Sequence, residues 1–194
     1  MGEPKRLLIV VGVPGVGKSS VIEKVVEASI NSGNKTSVVV FGTIMLNEAN
    51  KAGISKRDDI RKLNIFKQQE LQNKASEFIR SMSDEILIVD THLFVRTKSG
   101  FLPGIPENVI KKLRPTNLVL ITAKPEEIID RRIKDHSRDR DILSVEDVER
   151  ELELARSMIS TISVISSAPF EIVNNHTDRL EEASSRIVEI ITRE

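Results

Sequence analysis

The sequence predicts an α/β fold, a five-stranded parallel sheet flanked by helices on both faces. Three observations predict it. Five short apolar, β-branched runs recur along the chain, at 7–11, 37–41, 86–89, 118–121 and 170–173, and such runs suit strands covered on both faces. Segments of helical periodicity separate them, and strands alternating with helices imply a parallel sheet. Turn and capping residues fall between the segments rather than inside them. The 194 residues fit one domain at the usual ~100–200 residues per domain, and 39% apolar composition is enough for a core.

The first run leads through a glycine-rich stretch into helical periodicity over 18–31, which the turn Asn31-Ser32-Gly33-Asn34 stops. The second run precedes helical segments over 44–52 and 57–82. The third ends on Asp90, and regular structure lapses from His92 to Gly104. Pro106 and Pro125 suit the first turns of helices over 106–113 and 125–135, because proline there gives up no helical hydrogen bond. The fourth run lies between those two helices. A charged stretch from Lys134 to Asp141 follows, and Ser144 with Asp147 then matches a capping pattern for a helix over 144–166. The fifth run and a helix over 178–193 close the chain. Neither a repeat nor a linker divides it, so residues 1–194 are expected to form one domain, with chemistry in the two irregular stretches and the glycine loop.

Composition removes several classes of function. Lys plus Arg and Asp plus Glu both number 29, so the formal net charge is zero and no global field favours nucleic acid or anionic lipid. Six Phe with no Trp or Tyr leave little from which to build base-stacking platforms. Neither a nucleic acid nor a membrane is therefore expected as a partner. The absence of Cys excludes disulfides, thiolate metal sites and cysteine nucleophiles. His92, His136 and His176 are not spaced as metal ligands, so no zinc is expected. The longest apolar run is far too short for a bilayer, and no signal-peptide pattern precedes it, which leads to the expectation of a soluble, cytoplasmic protein.

The glycine-rich stretch Gly12-Val13-Pro14-Gly15-Val16-Gly17-Lys18-Ser19 satisfies G-x-x-x-x-G-K-[ST], between a buried strand and an amphipathic helix, the context this phosphate-binding loop requires. Its glycines let backbone N–H groups converge on phosphate oxygens. Lys18 reaches the β- and γ-phosphates, and the Ser19 hydroxyl, followed by Ser20, can ligate Mg²⁺. The helix start adds its positive dipole end. Asp90 stands at a strand's carboxyl end, where P-loop proteins keep a carboxylate that organises Mg²⁺.

A GTPase would show Asn-Lys-x-Asp after a later strand, but here 118–122 runs into Ala123-Lys124-Pro125. Motor ATPases need further domains. A small-molecule kinase remains, and it requires cations on a segment that closes over the transferring phosphoryl group. Arg131, Arg132, Lys134, Arg138 and Arg140 fall within ten residues and supply them, unless they form only a solvated face. On the acceptor side, Arg57, Arg61 and Lys62 or Thr91, His92 and Arg96 are candidates for a phosphate. The stretch Phe101-Leu102-Pro103-Gly104-Ile105-Pro106 suits either a wall against a base or a packed loop. Two alternatives stay open at this point. One is a P-loop kinase for another monophosphate or a hydroxyl acceptor such as shikimate; the other is a nucleotide-dependent assembly factor that hydrolyses ATP slowly.

These residues resemble the archaeal type of adenylate kinase across essentially the whole chain. The resemblance is carried by residues 12–19, Phe41-Gly42-Thr43, Arg57-Asp58 with Arg61-Lys62-Leu63, Val89-Asp90-Thr91-His92, 102–106, and Asp135 with Arg138 and Arg140. It implies a P-loop NTPase fold with a short lid near 131–143, an AMP-binding region near 42–82 and 91–106, and the reaction Mg·ATP + AMP ⇌ 2 ADP. It further implies that Gly12 to Ser20 bind ATP and that Lys18, Arg131, Arg138 and Arg140 hold transferring phosphates. Arg61, Thr91, His92 and Arg96 would contact AMP, and Ser19 with Asp90 would hold Mg²⁺. The bacterial and eukaryotic Phe-Asp-Gly-x-Pro-Arg is replaced here by Asp90-Thr91-His92, and the long inserted lid is absent.

A homo-oligomer is also expected. Val145, Val148, Leu152, Ala155, Ile159 and Ile162 form one helical stripe, while Leu154, Met158 and Ile165 add apolar surface around the cylinder. A partner subunit would cover that second surface, and the resemblance favours a trimer.

Overall fold

The computed structural model describes residues 6–97, 100–135 and 144–192, with the side chains of Arg57, Asp58 and Arg61 outside that description. Its elements in chain order are β1 (Arg6–Val11), α1 (Lys18–Asn31), β2 (Thr36–Val40), α2 (Phe41–Asn50), α3 (Arg57–Lys62), α4 (Ile65–Arg80) and β3 (Ile86–Asp90). Then follow β4 (Phe94–Thr97), β5 (Gly100–Pro103), α5 (Glu107–Leu113), β6 (Asn117–Thr122), α6 (Pro125–Lys134), α7 (Val145–Ser166), β7 (Phe170–Asn174) and α8 (Leu180–Thr192).

Five parallel strands make the main sheet in the order β2-β3-β1-β6-β7. Because crossovers are right-handed, a step toward β2 and a step toward β7 place their helices on opposite faces. The packing agrees, with α1 against α8 on one side and α4, α5, α7 and α6 joined successively on the other. The central strands β1, β3 and β6 are buried almost throughout, as their apolar runs demand. The outer strands depart from full burial, since Val38, Val40, Phe170 and Ile172 are exposed. An edge strand has a neighbour on one side only, so the helix layers cover it less completely.

Three sequence-based boundaries are corrected. Phe41 does not end a strand but opens α2 and packs into the core. The segment 57–82 is two helices, because Leu63 and Asn64 turn extended and the Asn64 side chain caps α4 by accepting from Lys67 N–H at 2.9 Å. The stretch from His92 to Gly104 is not irregular. It holds the antiparallel pair β4–β5, in which Phe94 faces Pro103 and Arg96 faces Phe101. The cap at Ser144 forms as expected, its hydroxyl accepting from Asp147 N–H at 3.2 Å.

The apolar surface of α7 is more fully used inside the domain than expected. Of the three residues expected to add apolar surface, Met158 and Ile165 pack against the core, whereas Leu154 is half-buried outside it; Val164, 82% exposed, is the most exposed apolar residue of the helix. Among the described residues, no helix is long and apolar enough to cross a membrane.

Candidate active site

The turn from β1 into α1 is shaped by what surrounds it. Gly12 packs under Val16 and the Ile121 carbonyl, where a Cβ would come within 2.7 and 2.8 Å of them. Gly15 and Gly17 carry φ of 92° and 81°, values that suit glycine alone. Lys18 is the first residue of α1, and its Nζ forms an ion pair with the Asp90 carboxylate at the end of β3. The pair is mostly buried, with the side chains 10% and 14% exposed, so each charge is strongly felt at the site.

A cavity of about 580 Å³ opens over this loop. Pro14, Gly15, Gly17, Lys18, Ser19 and Ser20 line its first end together with Val13 and Arg131. Asp90, Thr91, His92 and Asp135 lie along it. The other end is largely apolar, formed by Phe41 and Met45 of α2, Ile60 of α3, and Leu102 and Pro103 of β5, with Gln68 and Gln72 of α4 as its amides. Gln72 is buried and its Nε2 reaches the Pro103 carbonyl at 3.5 Å. The hairpin is anchored tightly at its base, for a Cβ on Gly104 would meet the His92 carbonyl at 2.1 Å.

The structure therefore brings together most of the residues singled out by sequence. Val13, Pro14, Gly15, Gly17, Lys18, Ser19, Ser20, Asp90, Thr91, His92 and Arg131 share one cavity. Gly12 and Val16 shape the loop from behind without lining it. Arg96 is not brought to the cavity: alternation along β4 turns Val95 and Thr97 inward, whereas Arg96 lies over the Phe101 ring at 5.9 Å and 4.0 Å from Glu151. Phe101 shares that outer side, packing edge-on against Phe94, so Leu102 and Pro103 form the apolar wall instead. The side chain of Arg61, and Arg138 and Arg140 entirely, lie outside the described residues.

Two supporting residues, Asn175 and Glu151, were not singled out from sequence, and Arg132, expected among the cations for the transferring group, takes a supporting place instead. Asn175, just past β7, donates from Nδ2 to the Val16 carbonyl at 2.8 Å, and Arg131 donates to the same carbonyl at 3.2 Å and to the Asn175 carbonyl at 3.0 Å. Arg132 donates to the Pro14 carbonyl and pairs with Glu151, both at 2.8 Å. Asn175 and Glu151 carry no sequence pattern of their own, and only the fold gathers them with Arg132 behind the loop.

The start of α6 is fixed by Glu127, which accepts from Lys124 N–H at 3.1 Å and Thr177 N–H at 2.8 Å and meets His176 Nδ1 at 3.1 Å. Burial alone would push its carboxyl up, but these hydrogen bonds outweigh burial and hold it at about 2.

For Mg²⁺, Ser19 could supply a hydroxyl and Asp90 a carboxylate; both line the cavity, as do Ser20, Thr91 and Asp135. Mg²⁺ keeps several waters and takes one or two protein oxygens beside phosphates, so this sparse set fits it. Among the described residues no group of three His, Asp or Glu comes together as a protein cage.

A family model described as AAA domain matches residues 11–149. Among solved structures, a shikimate kinase from Bacteroides thetaiotaomicron superposes with a TM-score of 0.59 at 11% identity, covering 97% of this chain and 99% of its own. A gluconokinase from Sinorhizobium meliloti gives 0.54 at 15% identity, with 99% and 94% covered. At such identities the likeness concerns the fold. Curated sequences are far nearer. An adenylate kinase of Pyrococcus furiosus is 39% identical over 95% of this chain and 94% of its own length, and one of Methanocaldococcus jannaschii is 35% identical over 96% and 98%. With a phosphate loop that opens into one cavity with Asp90, Thr91 and His92, and with relatives of this kind matched over nearly their full length, the chain belongs to the adenylate kinase family.

Proposed function

We propose that the protein transfers the γ-phosphoryl group of Mg·ATP to AMP, reversibly, giving two ADP. The observation that carries this reading is the single cavity that joins a phosphate loop at one end to an apolar, amide-bearing recess at the other, with Lys18 and Asp90 between them. A donor triphosphate on the loop and an acceptor monophosphate in the recess would share that one cavity. Family membership supports the same chemistry.

An oxygen of the AMP phosphate attacks the γ-phosphorus, and the bond from that phosphorus to the leaving ADP oxygen breaks. The acceptor oxygen is already anionic, so no general base is required and none is assigned. Catalysis is alignment and charge stabilisation. Loop N–H groups and Lys18 bind the donor phosphates, and Arg131, at the mouth of the loop, can exchange its carbonyl partners for phosphate oxygens. Ser19 and Asp90 would hold Mg²⁺, which would supply neutralisation of the phosphate charge.

Arg138 and Arg140 are proposed to join the transferring group from a lid near 131–143. Arg61, Thr91 and His92 are proposed as the AMP contacts, and Leu102 and Pro103 as the wall for its base. The reading places the protein in the cytoplasm, where these nucleotides are abundant, as a homo-oligomer with a trimer favoured. The test is an acceptor panel with ATP, in which AMP, the other nucleoside monophosphates and shikimate are compared by ADP formation. AMP is expected to support the highest kcat/KM. A preference for a hydroxyl acceptor would reject the reading.

A further inference from the structure

Glu151 on α7 is 6% exposed and has no part in the transfer described above. Its carboxylate takes one edge of Arg132, whose side chain is 8% exposed, and that same guanidinium holds the Pro14 carbonyl through Nε. Helix α6 lies close against the loop here, since a Cβ on Gly15 would stand 3.0 Å from both Arg132 Cγ and the Ile128 carbonyl.

In a planar trans peptide the C=O and the following N–H point in opposite directions, and no peptide bond among the described residues is cis. A Pro14 carbonyl drawn toward Arg132 therefore turns the Gly15 N–H to the opposite edge of the loop. Asn175 holds the Val16 carbonyl in the same manner, which orients the Gly17 N–H. The Gly15 and Gly17 N–H groups are thereby fixed in direction, while the Val16 N–H between them is taken by the Val13 carbonyl at 3.3 Å; backbone N–H groups held in fixed directions around one turn suit an anion. Arg132 can perform this role only while its own position and charge are fixed. Glu151 fixes both, by orienting the guanidinium and neutralising a cation that would otherwise be drawn to the phosphates.

We propose that Glu151 is a positioning residue for the donor nucleotide, acting through Arg132 on the Pro14 carbonyl. The proposal rests on the reading that the loop binds donor phosphates. Stability alone is a poor account of such a pair, because desolvation offsets much of the attraction between buried charges. The second carboxylate oxygen lies 4.0 Å from Arg96 of β4, so Glu151 also stands where the hairpin of the acceptor end meets the support of the donor loop.

The test is calorimetric titration of Mg·ATP and, separately, of AMP into the wild type, Glu151→Ala, Glu151→Gln and the double variant Arg132→Met/Glu151→Leu, with the Tm of each. Glu151→Ala is expected to weaken Mg·ATP about tenfold or more, the scale of one charge-assisted hydrogen bond, and AMP less than about twofold. Glu151→Gln, whose amide oxygen still accepts from Arg132, should recover most of that loss. The double variant exchanges the charges for apolar groups, so it should keep the wild-type Tm yet bind Mg·ATP as weakly as Glu151→Ala. A double variant with wild-type affinity for Mg·ATP overturns the proposal, as does equal weakening of both nucleotides by Glu151→Ala. The readout is binding, so a wild type that transfers nothing to AMP would reject the proposed reaction alone while the Mg·ATP titration still decided this one.

Discussion

Asn175 holds the Val16 carbonyl at 2.8 Å across 159 residues of sequence, and its amide nitrogen occupies the space a side chain on Gly17 would need, 2.5 Å from the ideal Cβ. The end of the last strand thus sets the shape of the first loop.

Gly17→Ala should displace the Asn175 amide and also place alanine at a φ of 81°. The expected cost is about 1–3 kcal/mol of stability, with a marked loss of ATP affinity. Asn175→Ala should cost about 1 kcal/mol or more by itself. Since the two changes act on one contact, the double variant should be less destabilised than their sum. Urea denaturation of the four proteins measures the coupling, and strict additivity would mean the contact is not shared.

The loop motif was legible because its chemistry is written in consecutive residues, with a strand before it and a helix after it. The central strands were legible because burial on both faces requires unbroken apolar runs. The β4–β5 hairpin was not, because each strand has four residues and Pro103 and Gly100 read as breakers. Asn175 and Glu151 were hidden for a different reason, and Arg132 was visible only as one cation of a charged cluster, not as the partner of Pro14 and Glu151. The role of each arises only when β7, α6 and α7 converge behind the loop.

Glu127 offers a test in pH. Its folded pKa of about 2 lies below the ordinary 4.5, so its contribution to stability is complete above about 4.5 and is lost as pH falls through about 2. Glu127→Gln should therefore be less stable than the wild type at pH 7, and the gap should narrow below pH 4.5. Denaturation curves across that range check this, and a gap independent of pH would contradict it.

Assembly can be read by light scattering. The wild type is expected near three times the 21.7 kDa chain mass. Val164→Glu probes the outlying apolar position of α7 without entering the core, since Val164 is 82% exposed. A smaller species in the variant would locate the interface on this helix, and a monomeric wild type would refute self-association.

The most direct test follows the phosphoryl group itself, with γ-labelled ATP, Mg²⁺ and unlabelled AMP. The account predicts label in the β-phosphate of ADP formed from AMP, one such ADP for each ATP consumed, and a turnover at least ~10³-fold lower in Lys18→Ala with the fold intact. Label released as inorganic phosphate, at a rate indifferent to AMP, would contradict it.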